Sequence, residues 1–288
     1  MKIAVLSDVH GNVPALEAVI DDLHAWQPDK VVINGDLVNR GPYSDAVLAL
    51  MQDQFPAAVF LKGNHESFVL YAAEHPVTAD DPKYHLRRFA EWSARQLGEA
   101  NLSLINEWQD HYDVVDPGGQ QSLHITHGSR LGNRDGISLK TLDESLPDKL
   151  GERKELFVVS HTHKAMLRQF EDTLIVNTGS VGQPLDNDER SAYGRMTFSE
   201  QGWQAEIRRV SYDKARAEKD FIESGFLEEG GPITKLIFLE HRHNRMFVGP
   251  FMHQYHDAIV EGKVDATQVV DVFIKSQKVT LDGPGAPA

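Results

Sequence analysis

The first sixty residues alternate between short apolar runs and segments with helical spacing, and this alternation constrains the fold more than any other feature. Apolar runs at Lys2–Leu6, Lys30–Ile33 and Ala57–Leu61 predict three strands. Val13–Trp26 and Pro42–Met51 have the spacing of helices. Strands that alternate with helices form a largely parallel sheet, with the loops at the carboxyl ends of the strands available for chemistry. The sequence therefore predicts an α/β fold.

The rest of the chain predicts further strands between two helical regions. Residues 68–109 contain two or three amphipathic helices with a polar break at His75–Lys83. The later predicted strands are Tyr112–Val115, Ser122–Thr126, Leu156–Ser160, Met166–Phe170 and Thr173–Val176, with a closing hairpin at Ala192–Phe198 and Trp203–Val210. The later predicted helices are Asp213–Ser224, Ile233–Arg245, Phe251–Glu261 and Ala266–Lys275. The Gly- and Pro-rich tail Asp282–Ala288 is predicted to be loose. We expect a domain at 1–210 with a helical insertion at about 68–110, and a helical C-terminal extension at 211–288.

Composition excludes several classes of function. There is no cysteine among the 288 residues, which excludes disulfides, thiolate zinc sites and a cysteine nucleophile. A formal charge of −14 argues against a broad basic surface, so we predict no stable nucleic-acid complex. The apolar run before Ser7 is too short for a signal peptide, and no run reaches the length that spans a membrane. We therefore predict a cytoplasmic protein without membrane association.

Polar motifs follow the predicted strands, and their side chains are those that bind divalent metals. The motifs are Asp8-Val9-His10, Gly35-Asp36, Gly63-Asn64-His65-Glu66, Thr126-His127-Gly128 and Ser160-His161-Thr162-His163. In extended chain, residues two apart face the same side, so each Asp-x-His or His-x-His pair presents two ligands together. Carboxylate, imidazole and amide oxygen ligands together suit borderline divalent metals. One such motif alone is more typical of a turn or a helix cap, but five at strand ends predict a shared metal site.

The other nine histidines are predicted to lie outside this site. His241 and His243 are also two residues apart, but we place them on a helix, where that spacing points them about 200° apart. The remaining histidines are assigned to the surface or to packing: His24, His75, His85, His111, His124, His253 and His256.

The ordered set of motifs resembles the calcineurin-like metallophosphoesterase superfamily over residues 1 to about 200. The resemblance implies a four-layer α/β/β/α sandwich and makes residues 1–210 the catalytic domain. It implies a first metal held by Asp8, His10 and His163, a second held by Asn64, His127 and His161, and Asp36 as the bridge. It also implies two divalent ions from among Mn, Fe, Zn and Mg, with Mn or Fe favoured. His65, Asp36 and Arg40 would be catalytic, and Asn64, His65 and Arg40 would contact the substrate, a small phosphate ester.

Two segments point to different branches of the superfamily. The run from Gly35 to Pro42 resembles phosphoprotein phosphatases and symmetrical diadenosine tetraphosphatases, in which Arg40 would contact phosphate. Many of those phosphatases have Asp where this chain has Asn39, and Asn39 cannot support a positive imidazole by charge. The run Asn177–Pro184 instead resembles the small bacterial phosphodiesterases. Ser160 stands where the family commonly has Gly, and we expect little effect because Ser is small.

Charge arithmetic shows how an acidic chain would attract phosphate. Two divalent ions bring about four positive charges, Asp8 and Asp36 remove two, and a bridging hydroxide removes one more. Roughly one net positive charge is then left to face the substrate. That hydroxide would attack phosphorus, so we expect no covalent intermediate. Phosphodiester hydrolysis is the main hypothesis. A phosphomonoesterase, phosphoprotein phosphatase or diadenosine tetraphosphatase-like hydrolase, and a non-catalytic interaction module, are the alternatives. The helical regions leave open a homo-oligomer.

Overall fold

The computed structural model describes residues 1–152 and 154–281, so the predicted loose tail at 282–288 lies outside the described residues. The strands are β1 Lys2–Leu6, β2 Lys30–Asn34, β3 Val59–Leu61, β4 His111–Val115, β5 Gln121–Thr126, β6 Leu156–Val159, β7 Met166–Phe170, β8 Thr173–Asn177, β9 Ser191–Ser199 and β10 Gly202–Val210. The helices are α1 Val13–Trp26, α2 Ser44–Gln54, α3 Asn64–Glu74, α4 Tyr84–Asn106, α5 Leu146–Leu150, α6 Lys214–Glu223, α7 Phe226–Glu229, α8 Ile233–His243, α9 Val248–Val260 and α10 Ala266–Ser276.

The strands form two mixed five-stranded sheets. The first has the order β10-β9-β1-β2-β3, and the second has the order β4-β5-β6-β8-β7. In the first sheet β1, β2 and β3 are parallel, and the hairpin β9–β10 joins it antiparallel to β1. In the second sheet β5, β6 and β8 are parallel, with antiparallel β4 and β7 at the edges. The predicted parallel arrangement therefore holds for three strands of each sheet.

The two sheets pack face to face because alternate residues of each strand point inward. Ile3 and Val5 of β1 share one buried cluster with Leu123 of β5 and Val158 of β6. The alternate residues of β1, such as Leu6, pack on the other side of the sheet in a cluster that includes α1, α2 and part of α4. On the outer face of the second sheet lies a smaller cluster that includes the short helix α5. The predicted four-layer sandwich is confirmed.

The C-terminal helices form their own hydrophobic cluster against the insertion. Phe238, Phe251 and Phe273 of α8, α9 and α10 pack with Leu86 and Trp92 of α4. The two helical regions are therefore neighbours in space, although strands β4 to β10 lie between them in the chain. The domain boundary near residue 210 stays a prediction. None of the described helices is long and apolar enough to cross a membrane.

Several element bounds differ from those predicted, for local reasons. The helix α3 begins at Asn64 instead of Phe68, so Asn64 and His65 occupy its first turn. The helix α4 is broken at Gly98, whose φ of 67° and ψ of 171° are not helical. The helix α9 starts at Val248, three residues earlier than predicted, because Pro250 is tolerated in a first helical turn.

Candidate metal centre

The seven predicted metal ligands meet at one edge of the sandwich. Each follows one of the parallel strands: Asp8 and His10 after β1, Asp36 after β2, Asn64 after β3, His127 after β5, and His161 and His163 after β6. These strands end at the same edge of their own sheet because they are parallel. Packing the two sheets face to face brings the two sets of loops together, so the site lies where both sheets end.

The backbone of this site is not extended, and the argument from extended chain was wrong for His161 and His163, although Asp8 and His10 do belong to one ligand group. Asp8, His10, Asp36, His161 and His163 have φ between 51° and 66°, in the left-handed region. Residues other than Gly are uncommon there and cost energy, so the surrounding contacts must hold them. The left-handed turns direct neighbouring side chains differently from a strand. His161 and His163 consequently belong to two different ligand groups.

The first group combines Asp8, His10, Asp36 and His163, all buried. The Nε2 atom of His163 lies 3.1 Å from Oδ1 of Asp8. The Nε2 atom of His10 lies 3.8 Å from Oδ1 of Asp8 and 3.8 Å from Oδ2 of Asp36. Two carboxylates and two imidazoles therefore face one small volume, which is a ligand set that divalent transition metals accept.

The second group combines Asp36 with His127 and His161, and Asn64 lies between the two histidines. The Nε2 atom of His127 lies 3.3 Å from Oδ2 of Asp36. The Oδ1 atom of Asn64 lies 3.1 Å from Nε2 of His127 and 2.8 Å from Nδ1 of His161. Asp36 is the residue shared by the two groups, which is the position of a bridging carboxylate.

The hydrogen bonds of the histidines leave lone pairs that fit a metal. The Nδ1–H groups of His10, His127 and His163 donate to backbone carbonyls, at 3.2, 2.8 and 2.6 Å respectively. When the ring is neutral, that pairing fixes the tautomer and leaves Nε2 as an acceptor. The Nε2 atoms of His10 and His163 then face each other at 3.2 Å, and Oδ1 of Asp8 is buried without a hydrogen-bond partner. A cation between these acceptors satisfies all three atoms, so the residues present fit the metals that the resemblance implies.

A cleft of about 540 Å³ opens beside the two groups. Its lining includes Asp36, Asn64 and His65 from the site. The C-terminal extension also contributes to the wall, with Glu240 and Met246. A cleft of this size suits a small organic ligand.

A family model described as calcineurin-like phosphoesterase matches residues 1–181, which is more than half of the chain. The chain belongs to this family. It is a metal-dependent phosphoester hydrolase, and the buried Asp and His groups are able to bind the divalent metals that the family uses.

Individual relatives agree with this family. The chain is 25% identical to the phosphodiesterase YfcE of Escherichia coli K12 over 201 residues, covering 68% of this chain and 87% of YfcE. A symmetrical bis(5'-nucleosyl)-tetraphosphatase of Dechloromonas aromatica is 37% identical over 76 residues, only 26% of this chain and 27% of that protein. A metallophosphoesterase structure from Sphaerobacter thermophilus has the same fold, with a TM-score of 0.64 and 23% identity. The alignment covers 99% of that chain and 85% of this one. Residues 1–210 alone make up a smaller share of this chain than 85%, so the similarity in fold includes part of the C-terminal extension.

Asp36 and His127 form a charged pair in this family member. Burial disfavours charge on both groups, but each stabilises the charge of the other across 3.3 Å. Burial would raise the pKa of Asp36, yet the positive charge of His127 brings it well below its usual range. Burial would lower the pKa of His127, yet Asp36 raises it to about 10. A cation that binds at neutral pH therefore displaces a proton from His127.

His65 lies beside the first group and is held as a neutral ring. The side chain of Asn39 donates to its Nδ1 at 2.9 Å, while Oδ1 of Asn39 accepts from the backbone N–H of Arg40 and from Ser93. Those two donors fix the orientation of the Asn39 amide. Burial lowers the pKa of His65 to about 3. The negative charge of Asp36 opposes this effect, and the positive charge of Arg40 reinforces it. His65 therefore carries its proton on Nε2, as a neutral hydrogen-bond donor.

Arg40 lines the cleft, but it is not free. One Nη atom of its guanidinium contacts the carboxylate of Glu240 in α8, and its Nε donates to Oε1 of Gln183 at 2.9 Å. Sequence reasoning placed Arg40 at the substrate and did not foresee Glu240. The sequence carries no signal for this pairing, because 200 residues separate the two partners.

Glu66 is a second residue whose role sequence reasoning missed, although its motif was recognised. Its buried carboxylate accepts from the backbone N–H groups of Asp36 and Gly63, both at 2.8 Å, and of Val38 at 3.2 Å. It therefore ties the loop after β2 to the start of α3. Gly63 is required at this junction, since a Cβ there would lie 2.1 Å from Oδ1 of Asp36.

Replacement of Glu66 by alanine is expected to destabilise the metal-free protein by about 3 kcal/mol or more, because three buried N–H groups lose their acceptor. Chemical denaturation of the metal-free protein measures this change without interference from metal binding. Glu74→Ala, at an exposed glutamate in the last turn of the same helix, is the matched control and should change stability by less than about 0.5 kcal/mol. Equal stability of the two variants would show that Glu66 does not tie the loops together.

The run that resembled the bacterial phosphodiesterases supports the first ligand group. Ser180 donates through its hydroxyl to the backbone oxygen of Asp8 at 2.7 Å, and the N–H of Gly182 donates to the same oxygen at 3.0 Å. The backbone oxygen of Gln183 accepts from His163. The motif therefore holds two ligands in place from the loop after β8.

Proposed function

We propose that this protein hydrolyses small phosphodiesters at a binuclear centre held by the seven predicted ligands. The observation that carries the proposal is the buried carboxylate of Asp36, which belongs to both ligand groups at once. Asp8, His10 and His163 would hold one ion with Asp36, and Asn64, His127 and His161 would hold the other. We propose Mn²⁺ or Fe²⁺ as the physiological ions, since mixed imidazole and oxygen ligands suit both.

The metals, when bound, supply Lewis acidity and activate water as the nucleophile. The protein supplies orientation and the remaining hydrogen bonds. His65 is placed to donate Nε2–H to a phosphate oxygen, because its Nδ1 is occupied by Asn39. As a neutral ring it acts as a donor to the developing charge instead of as an imidazolium acid. Asn64 and Arg40 face the same cleft and are proposed to contact the substrate too.

Two considerations support a diester over a monoester. The relative YfcE is a phosphodiesterase that matches most of this chain, whereas the tetraphosphatase match is short. A neutral His65 is poorly suited to protonate a leaving group, as already expected from Asn39. Phosphomonoester or dinucleoside polyphosphate hydrolysis is the second candidate, and the position of Arg40 at the cleft favours it.

Hydrolysis of bis(p-nitrophenyl) phosphate is expected to show a higher kcat/KM than hydrolysis of p-nitrophenyl phosphate, both measured with Mn²⁺. The diester carries one negative charge and the monoester nearly two, so the monoester depends more on additional protein cations. Parallel steady-state assays on one metal-loaded preparation measure the ratio. A clear preference for the monoester that disappears in Arg40→Ala would make the monoesterase the better assignment.

A further inference from the structure

The ion pair between Arg40 and Glu240 is the one charged contact described here that joins the cleft to the C-terminal extension. Glu240 lies on α8 and its side chain is 2% exposed, while that of Arg40 is 12% exposed. Both residues line the cleft that contains Asp36 and His65. The extension therefore places a buried carboxylate beside the arginine that would otherwise offer a free charge to the substrate.

Both partners of this pair are held by further hydrogen bonds. The Oε1 atom of Glu240 accepts from the backbone N–H groups of Phe247 and Val248, at 2.7 and 2.8 Å. Its Oε2 atom is the one that contacts Arg40. On the other side, Gln183 accepts from Arg40 and donates to the backbone oxygen of Ile237 at 3.0 Å. The pair is therefore a fixed part of the cleft wall.

The net charge of this ion pair determines which class of phosphate ester the cleft favours. Arg40 and Glu240 together have no net charge, and Lys164, an exposed residue, is the other Lys or Arg among the described residues of the lining. A substrate with one negative charge loses little from this neutralisation, whereas a dianionic monoester loses the attraction of a free guanidinium and meets a nearby carboxylate. We infer, on the basis of the proposed function, that Glu240 is a specificity-determining residue that cancels the charge of Arg40 and so disfavours phosphomonoesters.

Glu240→Gln tests this role with little change in shape. The amide oxygen of glutamine is able to keep both hydrogen bonds from Phe247 and Val248, while its NH₂ group replaces the oxygen that contacts Arg40. The ratio of kcat/KM for p-nitrophenyl phosphate to that for bis(p-nitrophenyl) phosphate should rise about tenfold, the order expected for one added charge near the substrate. The double variant Arg40→Gln/Glu240→Gln removes both charges and should restore the wild-type ratio to within about threefold.

A binding measurement separates failure of the inference from failure of the proposed function. Calorimetry on the Mn²⁺-loaded protein at pH 8 compares inorganic phosphate, a dianion, with dimethyl phosphate, a monoanion. Glu240→Gln should bind phosphate about tenfold more tightly relative to dimethyl phosphate. A wild-type protein that binds metal but hydrolyses neither ester would contradict the proposed function, and the binding ratio would still test Glu240.

Unchanged selectivity in Glu240→Gln, in both turnover and binding, would overturn the role of Glu240. If circular dichroism shows that this variant does not fold, the double variant Arg40→Gln/Glu240→Gln, which removes both charges, tests the role of Glu240 instead. A wild-type selectivity in the double variant supports the cancellation of charge. A tenfold loss of monoester selectivity there would show that Glu240 does not cancel the charge of Arg40, and would overturn the inference.

Discussion

Replacement of Asp36 by asparagine is expected to abolish phosphoester hydrolysis and to remove most of the bound metal. Asp36 belongs to both ligand groups, so the substitution weakens both proposed metal sites at once and removes one of the two carboxylates that balance the cations. Loss of metal activation forfeits several kcal/mol of transition-state stabilisation, so kcat/KM should fall by more than about 10³-fold. Elemental analysis of the purified variant and a diester assay measure the two effects.

Asp113→Asn is the matched control for this change. Asp113 also pairs with a buried histidine, His124, at 2.7 Å, but neither residue belongs to the ligand groups. The control should retain both metals and most of the activity. An Asp36→Asn protein that keeps two metal ions per chain would show that Asp36 is not the bridge.

Replacement of His65 by alanine is expected to lower kcat by about 10²–10³-fold while both metals stay bound, because a hydrogen-bond donor to the developing charge on phosphate is lost. His65 lies beside the first ligand group, but its Nδ1 is occupied by Asn39, and we assign it to the phosphate oxygen. Measuring kcat and the metal content of the same preparation distinguishes a role of His65 in the reaction from a role as a metal ligand. His127→Ala, the same chemical change at a proposed ligand, should lose metal as well as activity. Loss of metal from His65→Ala would identify His65 as a ligand and contradict its assignment to the reaction.

Local patterns in the sequence were sufficient for the alternation of strands and helices and for placing the candidate ligands at strand ends, whereas the four-layer sandwich was implied by the family resemblance. Apolar runs of strand length, each followed by Asp, His or Asn, place these residues at the carboxyl ends of strands whatever the details of packing. Period-two alternation alone was not sufficient for the way His161 and His163 divide between two groups, which only the family resemblance implied. That division depends on left-handed turns, with φ of 66° and 58°, which period-two alternation does not describe.

The contacts that hold the site were not predictable, because they join distant parts of the chain. Glu66 was visible as part of a motif, but its three N–H partners come from loops that only the folded sheet brings together. Ser160 was expected to matter little because of its size. In the structure its buried hydroxyl contacts Asn34 and Thr178, both at 2.9 Å. Glu240 lies in the segment for which no motif suggested a function.

The position of the metal ions themselves tests the account most directly. Crystals of the wild-type protein loaded with Mn²⁺, measured by anomalous diffraction, should show two peaks about 3.5–4 Å apart, the separation usual for two-metal sites. One peak should lie among Asp8, His10 and His163. The other should lie among the second set of ligands, Asn64, His127 and His161, with Asp36 contacting both. A single peak, or a pair of peaks that Asp36 does not join, would contradict the binuclear centre.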